Sequence, residues 1–317
     1  MTPTVIFFGS FGKYSALVLK NLLDSKLIEV TKVVTTPPFQ DKKKKIIKNE
    51  IQILAEDREL PIFTPQKLDE KSIEKFISGV DQPDFIITAG YGKLLPKKLL
   101  ETPKIGALNL HFSLLPKYRG ANPGEWAILL DEKQTGVSVI EMSENFDAGN
   151  IIAKKETTIS ATETRESLYE KLYSLGSKIL PQVISDYAQH KTTALPQKQN
   201  NLPDATRFKR IDGFVDWQAF EKAIAGENFA LNLVSEKLQK IARLLGLKQL
   251  DAKFLERSIR ALLGFPGIWT IIPTAKGEKR MKIFSSSLDD GRLRLNSVQI
   301  ESKEKTSWGE VKNILKE

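Results

Sequence analysis

In the first half of the chain, short apolar runs alternate with segments whose apolar residues recur at helical spacing. Apolar runs bounded by Gly or Pro predict strands, and apolar positions three and four apart predict helices. The predicted strands cover residues 5–8, 29–35, 61–63, 83–89, 106–111 and 136–142, with another beginning at 151; the predicted helices cover 16–23, 46–59, 72–78 and 164–190. This order predicts an α/β fold with a doubly wound, mostly parallel sheet.

The second half has a different pattern. Residues 191–210 are polar and contain Pro196 and Pro203, which predicts a linker. A helical pattern follows over 220–263, broken at Gly226 and Gly246, and then come three antiparallel strands over 268–272, 281–284 and 293–300 and a short helix over 308–315. We therefore expect a catalytic domain over 1–190, a basic linker over 191–210 and a smaller C-terminal domain over 211–317.

Composition narrows the chemistry. The 317 residues include no Cys, so disulfides, a thiolate nucleophile and Cys-ligated metals are excluded. They include two His, which disfavours a metal site built on several His. No basic leader and no apolar stretch of membrane-spanning length is evident, so we expect a cytoplasmic enzyme without a membrane partner.

The net charge of +9 is unevenly distributed. Residues 1–190 hold 25 Lys and Arg against 24 Asp and Glu, so almost all of the excess lies beyond residue 190. One basic run interrupts the neutral half: Lys42, Lys43, Lys44 and Lys45. A polyanion such as RNA would account for this distribution, and so would a solubilising surface.

The most informative short feature is Asn109-Leu110-His111 at the end of a predicted strand. Residues i and i+2 of a strand point to one face, so both side chains can reach one reacting atom. An amide donor beside an imidazole suits acyl transfer, although the pair could also tie down a turn. Asp147 follows in a Gly-containing loop, where Asp is also common as a turn former.

Other nucleophile and nucleotide motifs are weak or missing. Gly9 and Gly12 follow the first strand, but Ser15 stands where a dinucleotide motif has its third glycine. The P-loop pattern is absent, and Ser113 lacks the context of a serine hydrolase.

Taken in order, the motifs resemble the signature of the folate-dependent formyltransferases. They are Asn109 to Pro123, Thr135-Gly136-Val137 and Phe146 to Ile151, preceded by Ala89 to Pro96 and followed by Phe208 to Asp212, Val215-Asp216-Trp217 and Arg260 to Gly267. These matches span nearly the whole chain. The C-terminal ones favour the family members that formylate methionyl-tRNA.

The resemblance implies a formyltransferase-like Rossmann variant and a reaction. A formyl group would pass from 10-formyltetrahydrofolate, without a metal, to the α-amino group of methionine on initiator tRNA. Asn109, His111 and Asp147 would form the catalytic constellation. Folate would be bound by two segments, which are Ala89, Gly90, Tyr91 and Gly92, and Ser113, Leu114, Leu115 and Pro116.

The resemblance also implies RNA contacts. Lys42, Lys43, Lys44 and Lys45 occupy the place of the family's basic loop, which meets the tRNA acceptor end, and Arg119 is a further candidate. The C-terminal domain would bind tRNA through a reduced barrel carrying a helical insertion near 221–250. Gly9-Ser10-Phe11 departs from the family's usual Gly-Thr-Pro.

Two alternatives remain at this stage. The acceptor could be another amine, an amino sugar or a ribonucleotide, or the chain could be an RNA-binding module on a silent scaffold. The basic distal half disfavours a small uncharged acceptor, and the intact Asn109, His111 and Asp147 disfavour silence.

Overall fold

The computed structural model describes residues 2–41, 43–77, 81–198, 203–275 and 277–312. By contact density the chain divides into unit 1, which is Met1–Pro123, Gln134–Thr158 and Tyr169–Ala205, and unit 2, which is Gly124–Lys133, Ile159–Leu168 and Thr206–Glu317. The domain boundaries at 190 and 211 stay predictions, since two short excursions of the N-terminal half belong to unit 2.

The elements of the first half alternate as the hydrophobic pattern predicts. The strands are β1 (Thr4–Phe8), β2 (Glu29–Val34), β3 (Phe39–Gln40), β4 (Ile46–Ile47), β5 (Ile62–Phe63), β6 (Phe85–Ala89), β7 (Gly106–His111), β8 (Gln134–Glu141) and β9 (Ile151–Thr158). The helices are α1 (Gly12–Asp24), α2 (Glu50–Asp57), α3 (Glu70–Ile77), α4 (Lys97–Leu100), α5 (Pro123–Leu129) and α6 (Arg165–Ala188).

Unit 1 is built on one sheet with the strand order β5-β2-β1-β6-β7-β8-β9 among the described residues. The first five strands in that order pair in parallel, while β8 runs antiparallel to both β7 and β9. The sheet is therefore mostly parallel, and the carboxyl ends of β1, β6 and β7 meet at one edge, where such folds bind ligands.

Helices cover both faces of this sheet. On one face, apolar residues of β1, β2, β6 and β7 pack against Ile73 and Phe76 of α3 and Leu99 of α4. On the other face, Leu110 of β7 points toward Gly176 of α6, and α1 is joined to α6 by a hydrogen bond from Asn21 Nδ2 to Ser177 Oγ of 2.7 Å. The doubly wound α/β prediction is confirmed.

Unit 2 has an antiparallel sheet of β10 (Ile268–Thr274), β11 (Gly277–Asp289), β12 (Arg292–Ile300) and β13 (Thr306–Ser307), paired in that order. Its helices are α7 (Trp217–Ala225), α8 (Glu236–Leu244), α9 (Ala252–Ala261) and α10 (Trp308–Val311), with 3-10 turns at Arg210–Gly213 and Leu231–Leu233. Helix α9 packs on β11 and β12, and α7 packs on β12. A smaller domain of antiparallel strands and helices was predicted and is observed.

The helical stretch of the second half is divided by local backbone signals. Gly226 ends α7 with a φ of +84°, and the side chains of Ser235 and Asp251 cap the N-termini of α8 and α9. The two segments of the N-terminal half that belong to unit 2, 124–133 and 159–168, are joined by an ion pair. Arg165 Nε donates to the buried Glu125 at 2.7 Å.

One predicted helix begins in the wrong place. The helix expected over 46–59 starts at Glu50, because Asn49 accepts from the Gln52 amide and forms a capping box with it. Ile46 and Ile47 instead pair with β3 in a two-stranded hairpin, and Lys43, Lys44 and Lys45 lie in its turn. Within the described residues, no helix is both long and apolar enough to cross a membrane.

Candidate active site

Strand β7 delivers Asn109 and His111 to the carboxyl edge of the sheet. They stand two residues apart on one face, as the strand prediction requires. Asn109 pairs in register with Thr88 of β6, and His111 is buried, with 5% of its surface exposed. His111 is therefore almost shielded from solvent, while Asn109 beside it is partly exposed.

Asp147 comes from the loop between β8 and β9 and completes the group. Its Oδ1 accepts a hydrogen bond from Asn109 Nδ2 at 3.1 Å and lies 3.4 Å from His111 Nδ1. Its Oδ2 accepts from the backbone N–H of Gly120 at 2.9 Å. The structure thus brings together the three residues predicted to be catalytic, 38 positions apart at the widest.

The protonation state of His111 follows from its two neighbours. Its Nε2 lies 3.0 Å from the Tyr118 carbonyl oxygen, and a carbonyl only accepts, so Nε2 carries a proton. Its Nδ1 faces the Asp147 carboxylate, which favours a second proton. Burial alone lowers the pKa of His111, but Asp147 and the Tyr118 carbonyl outweigh it and raise that pKa above its ordinary value.

The pKa of Asp147 is shifted in the opposite direction from that of His111. Burial raises the pKa of this carboxyl, but the charge and hydrogen bond of His111 and the bonds from Gly120 and Asn109 lower it overall. The raised pKa of His111 and the lowered pKa of Asp147 favour an imidazolium beside a carboxylate. An imidazolium at this position lies next to the Asn109 amide, where its charge can stabilise a developing oxyanion.

Thr88 fixes which way the Asn109 amide faces. Its hydroxyl donates to Asn109 Oδ1 at 2.7 Å, while Nδ2 donates to Asp147. A flipped amide would point its oxygen at a carboxylate, so this orientation is determined. Nδ2 has a second hydrogen without a protein partner among the described residues, and that hydrogen is available to a substrate oxygen.

The loop that follows β7 supplies main-chain atoms to the site. Tyr118 has a φ of +60° and Gly120 a φ of +113°. A Cβ added at Gly120 would approach the Ala205 carbonyl oxygen to 2.9 Å, so glycine is required there. Ala205 also donates from its N–H to Arg119 O at 2.6 Å. The loop is thus held in place by a segment that was predicted to be a linker.

The predicted folate segment Ser113, Leu114, Leu115 and Pro116 is firmly anchored. The Ser113 hydroxyl is fully buried and donates to Lys117 O at 2.6 Å. Ser138 Oγ donates to Ser113 O at 2.7 Å and accepts from the Leu115 N–H at 3.1 Å. The Ser113 side chain therefore serves the loop itself, and a folate contact from this segment remains a prediction.

The second predicted folate segment, Ala89, Gly90, Tyr91 and Gly92, follows β6. The Ser10 hydroxyl donates to Gly90 O at 3.0 Å, which ties this segment to the end of β1. The Tyr91 hydroxyl is buried and has no hydrogen-bond partner among the described residues. Burial raises the pKa of Tyr91 to about 12, so it is a neutral donor. A folate contact here is also still a prediction.

The predicted RNA contacts have two different environments. Lys43, Lys44 and Lys45 are exposed on the β3–β4 turn, where Asp41 Oδ1 accepts from the backbone N–H groups of Lys43 and Lys45, each at 2.8 Å. Lys42 lies outside the described residues.

Arg119 is partly buried, and its Nε and Nη2 donate to Gln197 Oε1 at 2.9 and 2.7 Å. Among the described residues, no hydrogen bond or ion pair joins the lysine turn to Asn109, His111 or Asp147. Contacts with tRNA stay predictions for all of these residues.

Sequence reasoning missed Thr88 and Gln197. Thr88 reads as one more β-branched residue in a buried strand, and Gln197 lies in a polar stretch without a motif. Neither carried a signal, because each acts through a hydrogen bond to a residue distant in the sequence. In the part of the chain that the structure describes, no group of three or more acidic or His side chains is arranged to hold a metal ion.

Comparison with known proteins identifies the family of the chain. The sequence profile of the formyl transferase family matches residues 3–184, which is more than half of the chain. The chain belongs to the formyl transferase family. This formyl transferase is 30% identical over 306 residues to methionyl-tRNA formyltransferase from Bartonella tribocorum, covering 94% of this chain and 88% of that one. It is 31% identical over 290 residues to the enzyme of the same name from Staphylococcus epidermidis, covering 91% of this chain and 81% of that one.

Solved structures support the fold of this formyl transferase. A sugar N-formyltransferase from Shewanella sp. aligns with a TM-score of 0.55 at 16% identity, covering 91% of this chain and 100% of that one. HypX from Aquifex aeolicus in complex with tetrahydrofolic acid aligns with a TM-score of 0.61 at 16% identity, covering 98% of this chain and 47% of that one. At this level of identity the likeness concerns the fold alone.

Proposed function

We propose that this formyl transferase moves the formyl group of 10-formyltetrahydrofolate to the α-amino group of methionine on initiator tRNA. The observation that carries the proposal is the similarity to enzymes named methionyl-tRNA formyltransferase, which extends over 94% of the chain and so includes unit 2. Relatives that shared only the catalytic domain would not match there. The geometry around Asn109 supplies the chemistry that such a transfer needs.

The polar atoms at the strand ends fit a folate donor. At the carboxyl ends of β6 and β7, the second Asn109 Nδ2 hydrogen and the buried Tyr91 hydroxyl lack protein partners among the described residues. A buried hydroxyl without a partner costs about 1–3 kcal/mol, which a ligand acceptor would offset. We therefore assign the segments at Ala89–Gly92 and Ser113–Pro116 to folate binding. Folate supplies the formyl group.

Direct attack by the neutral amine accounts for the residues present. The amine nitrogen bonds to the formyl carbon, the bond from that carbon to the folate nitrogen breaks, and the amine proton ends on the folate nitrogen. Asn109 donates its free N–H to the oxygen as it becomes anionic. No activated Ser or Lys accompanies the group in the described residues, so a covalent enzyme intermediate is not needed.

His111 and Asp147 have different roles in this scheme. Both ring nitrogens of His111 are engaged with the protein, so it acts as a fixed positive charge near the oxyanion. Asp147 has a lowered pKa and is a weak base, so it orients Asn109 and His111 and does not store the proton.

Transfer RNA would be bound through electrostatics. Lys43, Lys44 and Lys45 form an exposed and ordered turn, and nearly all of the net charge of +9 lies beyond residue 190. Each phosphate contact releases counterions, which favours binding of a polyanion. We assign the lysine turn to the acceptor end and unit 2 to the body of the tRNA.

One assay tests the proposal against its rivals. The protein is mixed with 10-formyltetrahydrofolate and methionine-charged initiator tRNA, and formyl-methionine is measured by mass spectrometry after the ester is hydrolysed. Parallel reactions contain a sugar-nucleotide amine, glycinamide ribonucleotide or uncharged tRNA. We expect transfer to the charged tRNA alone. Preferred transfer to a small amine would contradict methionyl-tRNA as the acceptor. No transfer to any acceptor would favour an RNA-binding module on a catalytically inactive scaffold.

A further inference from the structure

Gln197 joins the loop between β8 and β9, which carries Asp147, to the loop after β7. Its Nε2 donates two hydrogen bonds, to Asp147 O at 2.7 Å and to Gly149 O at 2.8 Å. Its Oε1 accepts two from Arg119, as described above. Both hydrogens of the amide and both lone pairs of its oxygen are therefore used. A side chain satisfied at four points has one orientation.

The residues that Gln197 touches are in strained or crowded backbone. Asp147 has a φ of +49°, in the left-handed region that non-glycine residues seldom adopt. A Cβ at Gly149 would lie 1.8 Å from Glu141 O, so the loop is pressed against β8 at that point. Such a conformation persists only where its surroundings impose it, and Gln197 binds the main chain on both sides of Ala148.

The three residues Tyr118, Arg119 and Gly120 contact the same site from the other side. Tyr118 O meets His111 Nε2, and the Gly120 N–H meets Asp147 Oδ2. Between them, the Arg119 side chain meets Gln197. The two loops are thus joined by the reacting groups and, independently, by the Arg119–Gln197 pair.

We propose that Gln197 is a positioning residue for the formyl transfer: supported by Arg119, it holds the main chain at Asp147 so that the carboxylate meets both Asn109 and His111. The proposal rests on the proposed function for its rate effects. It gives the stretch after α6 a part in building the site, beyond that of a linker.

The amide is the group that this position requires. A glutamate side chain in place of Gln197 would keep the bond to Arg119 and strengthen it, but its carboxylate would oppose two carbonyl oxygens and lose both donors. The variants Gln197→Ala and Gln197→Glu therefore separate the two halves of the contact. If the two hydrogen bonds donated by Gln197 Nε2 position Asp147, both variants should lose rate to the same extent, although Gln197→Glu keeps the bond to Arg119.

The experiment compares the full-length wild type with Gln197→Ala, Gln197→Glu and Arg119→Met. Gln182→Ala is the matched control, because Gln182 is exposed on α6 and bonds only to Asp186 in its own helix among the described residues. For each protein, kcat and KM for formyl transfer, the Kd for tetrahydrofolate and the NMR titration of the His111 ring are measured. The chain has one other histidine, His190, and a His190→Gln variant assigns the signals.

We expect Gln197→Ala and Gln197→Glu to lower kcat about 100-fold, since a displacement of about 1 Å in a catalytic group has that effect. Arg119→Met should lower kcat about tenfold, because Gln197 keeps its donors. In both Gln197 variants, tetrahydrofolate binding and the KM for tRNA should stay within about twofold of wild type, and the His111 pKa should fall as Asp147 moves away. Gln182→Ala should match wild type in every measurement.

Three results would overturn the proposal. They are a kcat within about threefold of wild type in Gln197→Ala, a normal rate in Gln197→Glu, or a loss of rate with an unchanged His111 titration, which would indicate a purely structural role. If Gln197→Ala does not fold, the nearly isosteric Gln197→Glu gives the same test. A wild type that formylates no tRNA would refute the proposed function, while the His111 titrations would still decide the role of Gln197.

Discussion

The proposed catalytic group, which is Asn109, His111 and Asp147, and the lysine turn use polar side chains in opposite ways. The side chains of His111 and Asp147 are 6% and 12% exposed, and each of their polar atoms has a named partner. Lys43, Lys44 and Lys45 are exposed, and it is their backbone N–H groups, not their charges, that the protein binds. Buried groups held in one geometry act on the rate of a reaction, whereas exposed charges act on encounter and affinity.

The largest effect is expected from a substitution in the proposed catalytic group. Asn109→Ala removes the free N–H that faces the reacting oxygen, and losing one oxyanion donor lowers kcat about 10²- to 10³-fold. Tetrahydrofolate binding should be unchanged. Steady-state formylation and equilibrium fluorescence binding measure the two quantities. Asn296→Ala, on the exposed surface of β12, is the control, and near-normal turnover in Asn109→Ala would refute the assignment of Asn109.

A smaller effect should follow from releasing the amide without removing it. Thr88→Val keeps the shape of the side chain but loses the hydroxyl that binds Asn109 Oδ1. One hydrogen bond contributes about 1 kcal/mol, so kcat should fall roughly fivefold with little change in KM. Thr88→Ser should restore most of the rate. A Val variant as active as wild type would mean that Asp147 alone orients the amide.

Substitutions in the exposed lysine turn should change the affinity for tRNA and the salt dependence of that affinity. Replacing Lys43, Lys44 and Lys45 by Ala should raise the KM for tRNA and leave kcat unchanged. If each lysine meets one phosphate of a single strand, the slope of log Kd against log salt should fall by about 2. The control replaces the exposed Lys20, Lys26 and Lys178, with the same loss of charge. An equal change in slope in both triple variants would indicate a nonspecific effect.

The smallest effect concerns stability and its dependence on pH. The folded-state pKa of His111 is raised, so its stabilisation is present below the ordinary value and is lost as pH rises through the folded value. The pKa of Asp147 is lowered, so its stabilisation is present above its ordinary value and is lost only as pH falls through the folded one.

Thermal unfolding of wild type and Asp147→Asn from about pH 5 to about pH 9 measures this linkage. The wild type should have the higher Tm in the acidic half of that range, and the difference should shrink as His111 loses its proton. A difference in Tm that is constant across the range would contradict the ion pair.

The sequence predicted the parts of the site that depend on a regular strand. Asn109 and His111 fall two apart at the end of an apolar run, so their common face follows from strand geometry alone. Asp147 needed the family resemblance, because its loop returns to β7 only through the antiparallel strand β8.

Thr88, Gln197 and the Tyr118 carbonyl could not be predicted. Thr88 and Tyr118 each act through a hydrogen bond, across 21 and 7 residues, and Gln197 acts through four, which reach residues 48 to 78 positions away. No periodicity encodes such bonds. The start of α2 was misplaced for a related reason, since Ile46 and Ile47 fit a helical pattern but pair with β3. The local hydrophobic pattern predicts which helices and strands form and which faces they bury. Helix caps and hydrogen bonds between residues distant in the sequence decide where those elements end and what they contact.

Two of the groups that bond to His111 and to the Asp147 carboxylate are peptide groups, Tyr118 O and the Gly120 N–H. A peptide group is the same whichever amino acid bears it. The part of the site that these two groups supply therefore depends on the path of the main chain, which places them against His111 and Asp147.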